Sequence, residues 1–131
     1  MLENRALCVF LPLQLPGLNA VTRKNRAGKY AGAGQKKAIE AEIITFLRLF
    51  KVRPLHDRVS YRWRFTWHEL HRRRDPDNVG SACKFIFDAL QQAGIITNDG
   101  WSTVAEIVHR FQVSDEGGVL IEAIPLWRDE P

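Results

Sequence analysis

Nine residues, VSYRWRFTW at positions 59 to 67, alternate without a break. Val59, Tyr61, Trp63, Phe65 and Trp67 fall on one side of an extended chain, and Ser60, Arg62, Arg64 and Thr66 on the other. A β-strand sends successive side chains to opposite faces, so this period of two predicts a half-buried strand and rules out a helix. The apolar face reads as a core surface packed against a helix in preference to a base-stacking platform. The arginines of the other face are expected to extend a basic surface toward Arg72, Arg73 and Arg74.

The remaining elements are read around that strand. Residues 5–11, RALCVFL, predict a short, largely buried strand ended by Pro12. Residues 12–34 have no periodicity and read as a long basic loop carrying Arg23, Lys24, Arg26 and Lys29. From Gly34 to about Lys51, Ile39, Ile43, Phe46, Leu47 and Phe50 recur at helical spacing. A second helix is expected from near Asp77 to Gln92, with Val79, Ala82, Cys83, Ile86, Leu90 and Ala93 as its buried stripe and Gly94 as its stop. Residues 103–113 and 119–126 predict two strands joined as a hairpin through SDEGG. The expected order is β-α-β-α-β-β, an α+β fold with two helices on a mixed sheet. At 131 residues the chain makes one domain, 1–131, with room for a real core.

Cys8 and Cys83 sit in apolar settings with no CxxC spacing, which predicts reduced core thiols and a cytoplasmic protein. The opening MLENRALCVFLPLQLPG is a poor signal peptide. Glu3 precedes its apolar run, and Pro12 and Gln14 interrupt it. No apolar run approaches the roughly 18 residues a membrane span needs. The net charge of +4 hides an asymmetry: residues 1–74 hold 16 Lys and Arg against 5 Asp and Glu, and residues 75–131 hold 3 against 10. A basic surface facing an acidic cluster suits a polyanion handled together with a metal. Two halves interleaved in one fold, with charges spread over the surface, would produce the same totals.

That boundary falls inside RRRDPDN, residues 72–78. Asp75 as N-cap and Pro76 at the first helical position make a good helix start, and Asp77 suits the positive end of the dipole. The three arginines are left unexplained by that reading. A chemical reading makes them a phosphate grip beside carboxylates that hold a cation. Lys84, the only lysine after Asp77, lies seven residues on and nearly on the same helical face. Spacing alone does not force Asp99 beside Asp75. His68 and His71 lack a third zinc ligand, and neither a nucleophile elbow nor a phosphate-binding Gly-rich loop is present.

RRRDPDN followed by KFIFDALQQAGIITND resembles the signature of the RusA-type Holliday junction resolvases, metal-dependent endodeoxyribonucleases. The matching positions are Arg72, Arg73, Arg74, Asp75, Asp77, Asn78, Lys84, Phe87 to Leu90, Ala93, Gly94 and Asp99. The basic loop and the GQ at Gly34 extend a weaker likeness toward the N-terminus. The resemblance implies that Asp75, Asp77 and Asp99 converge to bind Mg²⁺ or Mn²⁺ and that Lys84 assists at the scissile phosphate. It implies DNA contacts from Arg23, Lys24, Arg26, Lys29, Arg72, Arg73 and Arg74, and a homodimer acting on branched DNA with no small-molecule cofactor. A non-catalytic, structure-selective nucleic-acid-binding module is the alternative.

Two departures stand out. About three more residues separate D-P-D-N from Lys84 than is usual in the family. Either the lysine moves outward, or the helix starts later, with Ser81 as its cap. Asn98 also stands where many members carry an acid.

Overall fold

The computed structural model describes residues 4–126, apart from the side chains of Lys29 and Tyr30. Its elements are β1 (Leu7–Leu11), α1 (Leu18–Ala27), α2 (Lys29–Leu49), β2 (Tyr61–Glu69), α3 (Pro76–Gly80), α4 (Cys83–Gln92), β3 (Val104–Val113) and β4 (Gly118–Pro125). The α+β class and the mixed sheet are as expected, in the strand order β1-β4-β2-β3. Strands β2 and β3 run parallel, and β4 is antiparallel to both β1 and β2. No helix among the described residues is long and apolar enough to cross a membrane.

Strand β2 organises the core as its alternation predicts. Tyr61, Trp63, Phe65 and Trp67 are buried, and the residues between them are half-buried. Trp63 and Phe65 meet the ring of Phe87 on α4 edge-on, with centroids 5.2 and 5.5 Å away. Edge-to-face contact is the favoured geometry for such rings. Ile43 and Leu47 of α2, with Ile86 and Leu90 of α4, complete the layer over the sheet.

Four expectations are corrected. The first is the basic loop: residues 12–34 contain α1 and the first turns of α2. Helix α1 has no fully buried residue and only Ala20 and Val21 half-buried, too few apolar positions among its charges to mark a stripe. It leans on α2, where a Cβ on Gly32 would collide with the Asn25 side chain. Its first turn is held from outside, because the Asn19 amide donates to Asn78 Oδ1 at 2.8 Å. Phe50, expected on the buried stripe of α2, follows the helix and is exposed.

Second, the single helix expected over 77–92 breaks into α3 and α4 at Ser81 and Ala82. Ser81 turns its hydroxyl back to the Asn78 carbonyl at 2.7 Å, and Ala82 takes the capping position of α4. The chain therefore has four helical segments among the described residues and the order β-α-α-β-α-α-β-β. Helix α4 stops where expected. Gly94 has a positive φ of 76°, its amide bonds Gln91, and the Ile95 amide bonds Leu90, which together form a Schellman motif.

Third, β3 and β4 do not pair as a hairpin. Residues 114–117 arch over the end of β2, with the Ser114 amide bonded to the Glu69 carbonyl at 2.8 Å. Strand β4 then enters between β1 and β2. Its near-continuous burial, with Val119, Ile121 and Ala123 on one face and Glu122 and Ile124 on the other, is that of a central strand. Gly118 permits this entry, since a Cβ there would collide with the Leu11 carbonyl oxygen.

Fourth, the thiols are not core groups: Cys8 is exposed and Cys83 half-buried. Strand β1 alternates instead of burying every residue, and position 8 falls on the helix-free face of the sheet.

Candidate active site

The segment between β2 and α3 carries the arginine–aspartate run. Arg74 makes a bidentate pair with Glu69, with both N···O distances at 2.9 Å, and donates to the Leu15 carbonyl at 2.9 Å. Planar guanidinium against carboxylate is the strong, geometrically specific form of ion pair. Arg74 thus ties the chain before α1 to the last residue of β2. The expected role of Arg74 at DNA is set against this structural one, whereas Arg72 and Arg73 are exposed.

Asp75 occupies the N-cap position with Pro76 following it, as the helix-start reading requires. Its carboxylate makes no capping hydrogen bond. The Asp77 carboxylate accepts from the Asn78 amide at 2.9 Å. Both aspartates are exposed. Asn78 serves as the outside cap of α1, so the D-x-D-N run couples the basic helix to the acidic turn.

Lys84 and Asp99 meet. The Schellman turn at Gly94 buries Ile95 and Ile96 and returns the chain so that Lys84 Nζ lies 3.0 Å from Asp99 Oδ2. The same ammonium lies 3.1 Å from Asp88 Oδ1, one helical turn along α4. These hydrogen bonds, to Asp99 first and then to Asp88, raise the Lys84 pKa above its ordinary value. The Lys84 ammonium is thus held between two carboxylates. Asp88 continues the chain of charges to Lys36 at 3.4 Å, and Lys36 lies 3.8 Å from buried Glu40 on α2, which also receives the Gln92 carboxamide.

Asp88 is the partner that sequence reasoning missed. The i,i+4 spacing from Lys84 was the available signal.

Among the described residues, no group of three or more His, Cys, Asp or Glu side chains is placed to hold a metal ion. Asp99 instead faces the Lys84 ammonium.

The basic residues divide in the same way. Arg23, Lys24 and Arg26 are exposed on α1, and the Lys29 side chain lies outside the described residues. On β2 the arginines do not extend the basic surface. Arg62 pairs with Glu106 at 2.8 Å, and Arg64 is bidentate on Glu122 at 2.9 and 3.0 Å. Glu122 also receives Arg5 at 2.9 Å. These arginines, that of Arg64 foremost, hold the Glu122 carboxyl below its ordinary pKa. His68 bonds Gln112 and packs edge-on to Phe10.

Beside Asp75 lies a cavity of about 350 Å³, at the carboxyl ends of the parallel strands β2 and β3. Ligands commonly bind in the crevice outside the carboxyl ends of parallel strands.

No family model matches the chain, and no curated protein matches it.

Proposed function

We propose that the chain is a cytoplasmic RusA-like endodeoxyribonuclease that resolves four-way DNA junctions as a homodimer by phosphodiester hydrolysis with Mg²⁺ or Mn²⁺. One observation carries the reading: Lys84 and Asp99, fifteen residues apart, are in contact at 3.0 Å. They are the lysine and the second acid of the signature. Two further placements support it. Asp75 keeps its carboxylate free of capping at an exposed turn, and Arg72 and Arg73 stand exposed immediately before it. Arginines hold phosphate, and carboxylates bring the cation that a phosphoryl centre needs. Lys84, charged at all ordinary pH, is fit to neutralise a phosphate oxygen once its carboxylate partners engage elsewhere.

The alternative, a structure-selective binder without catalysis, is favoured by Asp88, which lies 3.1 Å from the Lys84 ammonium one turn along α4 and so gives the lysine a partner within its own helix. Cleavage separates the two. A labelled four-way junction and a matched linear duplex are incubated with Mg²⁺, Mn²⁺ or EDTA, using the native chain and Asp77→Asn. Paired, metal-dependent nicks in the junction alone, lost in the variant, are expected. Tight junction binding without nicks in either metal would leave the binder.

A further inference from the structure

Rings on β2 and β3 form a ladder that runs out of the core. Phe65 and Trp67 stack at 5.8 Å, His109 lies 5.6 Å from Phe65 and 6.1 Å from Trp67, and Phe111 follows 6.1 Å beyond His109. All four ring pairs are within 22° of parallel. The register explains the ladder: Phe65 is opposite His109 and Trp67 opposite Phe111 in the parallel pair, so all four project to one face. Trp67 Nε1 donates to His109 Nδ1 at 2.9 Å, which fixes the middle ring. Burial lowers the His109 pKa, in keeping with a neutral ring that accepts at Nδ1.

The ladder ends at Phe111, whose side is open to solvent at 41% exposure. Phe111 is a wall of the 350 Å³ cavity, together with Val79 and Val113. His71, Arg72 and Gln112 supply its polar side, and Asp75 stands among the lining residues. An apolar ring held rigidly from behind, with hydrogen-bonding groups at the sides and a cation close by, matches a nucleobase: flat apolar faces, polar edges and an attached phosphate. Charge favours the same occupant, since Arg72 and Arg73 are exposed at this end of the sheet.

We propose that this cavity takes one unstacked nucleobase of the bound DNA, stacked on Phe111, with Arg72 at its phosphate. The inference rests on the nucleic-acid reading above and deepens it. The base held here belongs to the strand passing Asp75, so stacking positions that strand at the acidic turn. Bases at a branch point are the least costly to extrude, because their stacking is already interrupted.

The test uses the full chain in EDTA, so that no cleavage is needed. A four-way junction carrying iododeoxyuridine beside the branch point is irradiated, and the adduct is located by mass spectrometry. An adduct on Phe111 is expected, with junction affinity falling about 5- to 150-fold in Phe111→Ala and in Phe111→Leu but kept in Phe111→Trp. An adduct elsewhere, together with affinity unchanged in Phe111→Ala, overturns the proposal. So does a dimer that Phe111→Ala converts to monomer when the native chain's adduct lies on another residue, because the ring is then a contact between copies. Should the junction not bind at all, the same probe in a short single strand decides. An adduct on Phe111 there keeps the cavity and rejects the junction, and none rejects both.

Discussion

Replacing Arg74 with alanine should cost folding stability, whereas replacing Arg72 should cost only DNA affinity. Arg74 makes three charge-assisted hydrogen bonds, two to Glu69 and one to the Leu15 carbonyl. Hydrogen bonds involving a charged group contribute about 1.5–3 kcal/mol each in full burial. Here the side chains keep 26% and 13% of their exposure, so water recovers part of the loss. A net cost of about 2–4 kcal/mol remains, most of it from leaving the Glu69 carboxylate unpaired. An unfolding entropy of about 2.1 cal/mol/K per residue puts the midpoint roughly 7–14 °C lower for a chain of this length.

Thermal unfolding of Arg74→Ala, Glu69→Ala and the double variant measures the coupling directly. Arg72→Ala should melt within about 1 °C of the native chain, in line with an exposed surface change. The same substitution should reduce the salt dependence of DNA binding by roughly one counterion. The reasoning is refuted if Arg74→Ala melts like the native chain and yet loses junction affinity. Arg74 would then hold phosphate, and its pair with Glu69 would be incidental.

Phe65→Ala should lose about 3–5 kcal/mol in urea unfolding, because its ring is fully buried between Trp67, His109 and Phe87. A loss below 1 kcal/mol would place that ring outside the core. Glu122→Gln should flatten the acid limb of the stability curve. The folded-state pKa of Glu122 is lowered, so its contribution is present above the unfolded value of 4.5 and is lost as pH falls through that value toward the folded one. Urea midpoints from neutral pH down to below pH 4 would expose an unchanged slope. Lys84→Met should abolish junction cleavage while lowering the melting temperature little, since exposed pairs contribute about 0–1 kcal/mol. A drop of more than about 5 °C would make Lys84 a structural brace.

The elements visible in the sequence are those whose own side chains carry the period. Strand β2 alternates because one face is core, and α4 shows its stripe and ends at Gly94 because a left-handed residue is needed there. Helix α1 was hidden for the opposite reason. It fully buries no residue, and its first turn is completed by Asn78, a residue of another element. The pairing of β4 was likewise a property of its neighbours, although VLIEAI had the two-faced apolarity of a central strand. Asp99 reached Lys84 through a Schellman turn whose glycine was legible but whose direction was not.

The charge split takes its meaning from these pairings. Five of the sixteen positive charges before Asp75 are paired within the fold: Arg5 and Arg64 with Glu122, Arg62 with Glu106, Lys36 with Asp88, and Arg74 with Glu69. Interleaving of the two halves accounts for the first four, Arg74 pairs within its own half, and none of them requires a polyanion. Arg23, Lys24 and Arg26 on α1, with Arg72 and Arg73 before α3, are exposed instead. The Asn19–Asn78 bond joins these two groups, since it fastens the start of α1 to the turn that holds Asp75 and Asp77. A basic helix with no fully buried residue is costly to order for packing alone, since the half-buried Ala20 and Val21 return little apolar burial for the entropy it loses. Its attachment beside the acidic turn is explained if its cations and those carboxylates serve one ligand: a phosphodiester chain long enough to cross both.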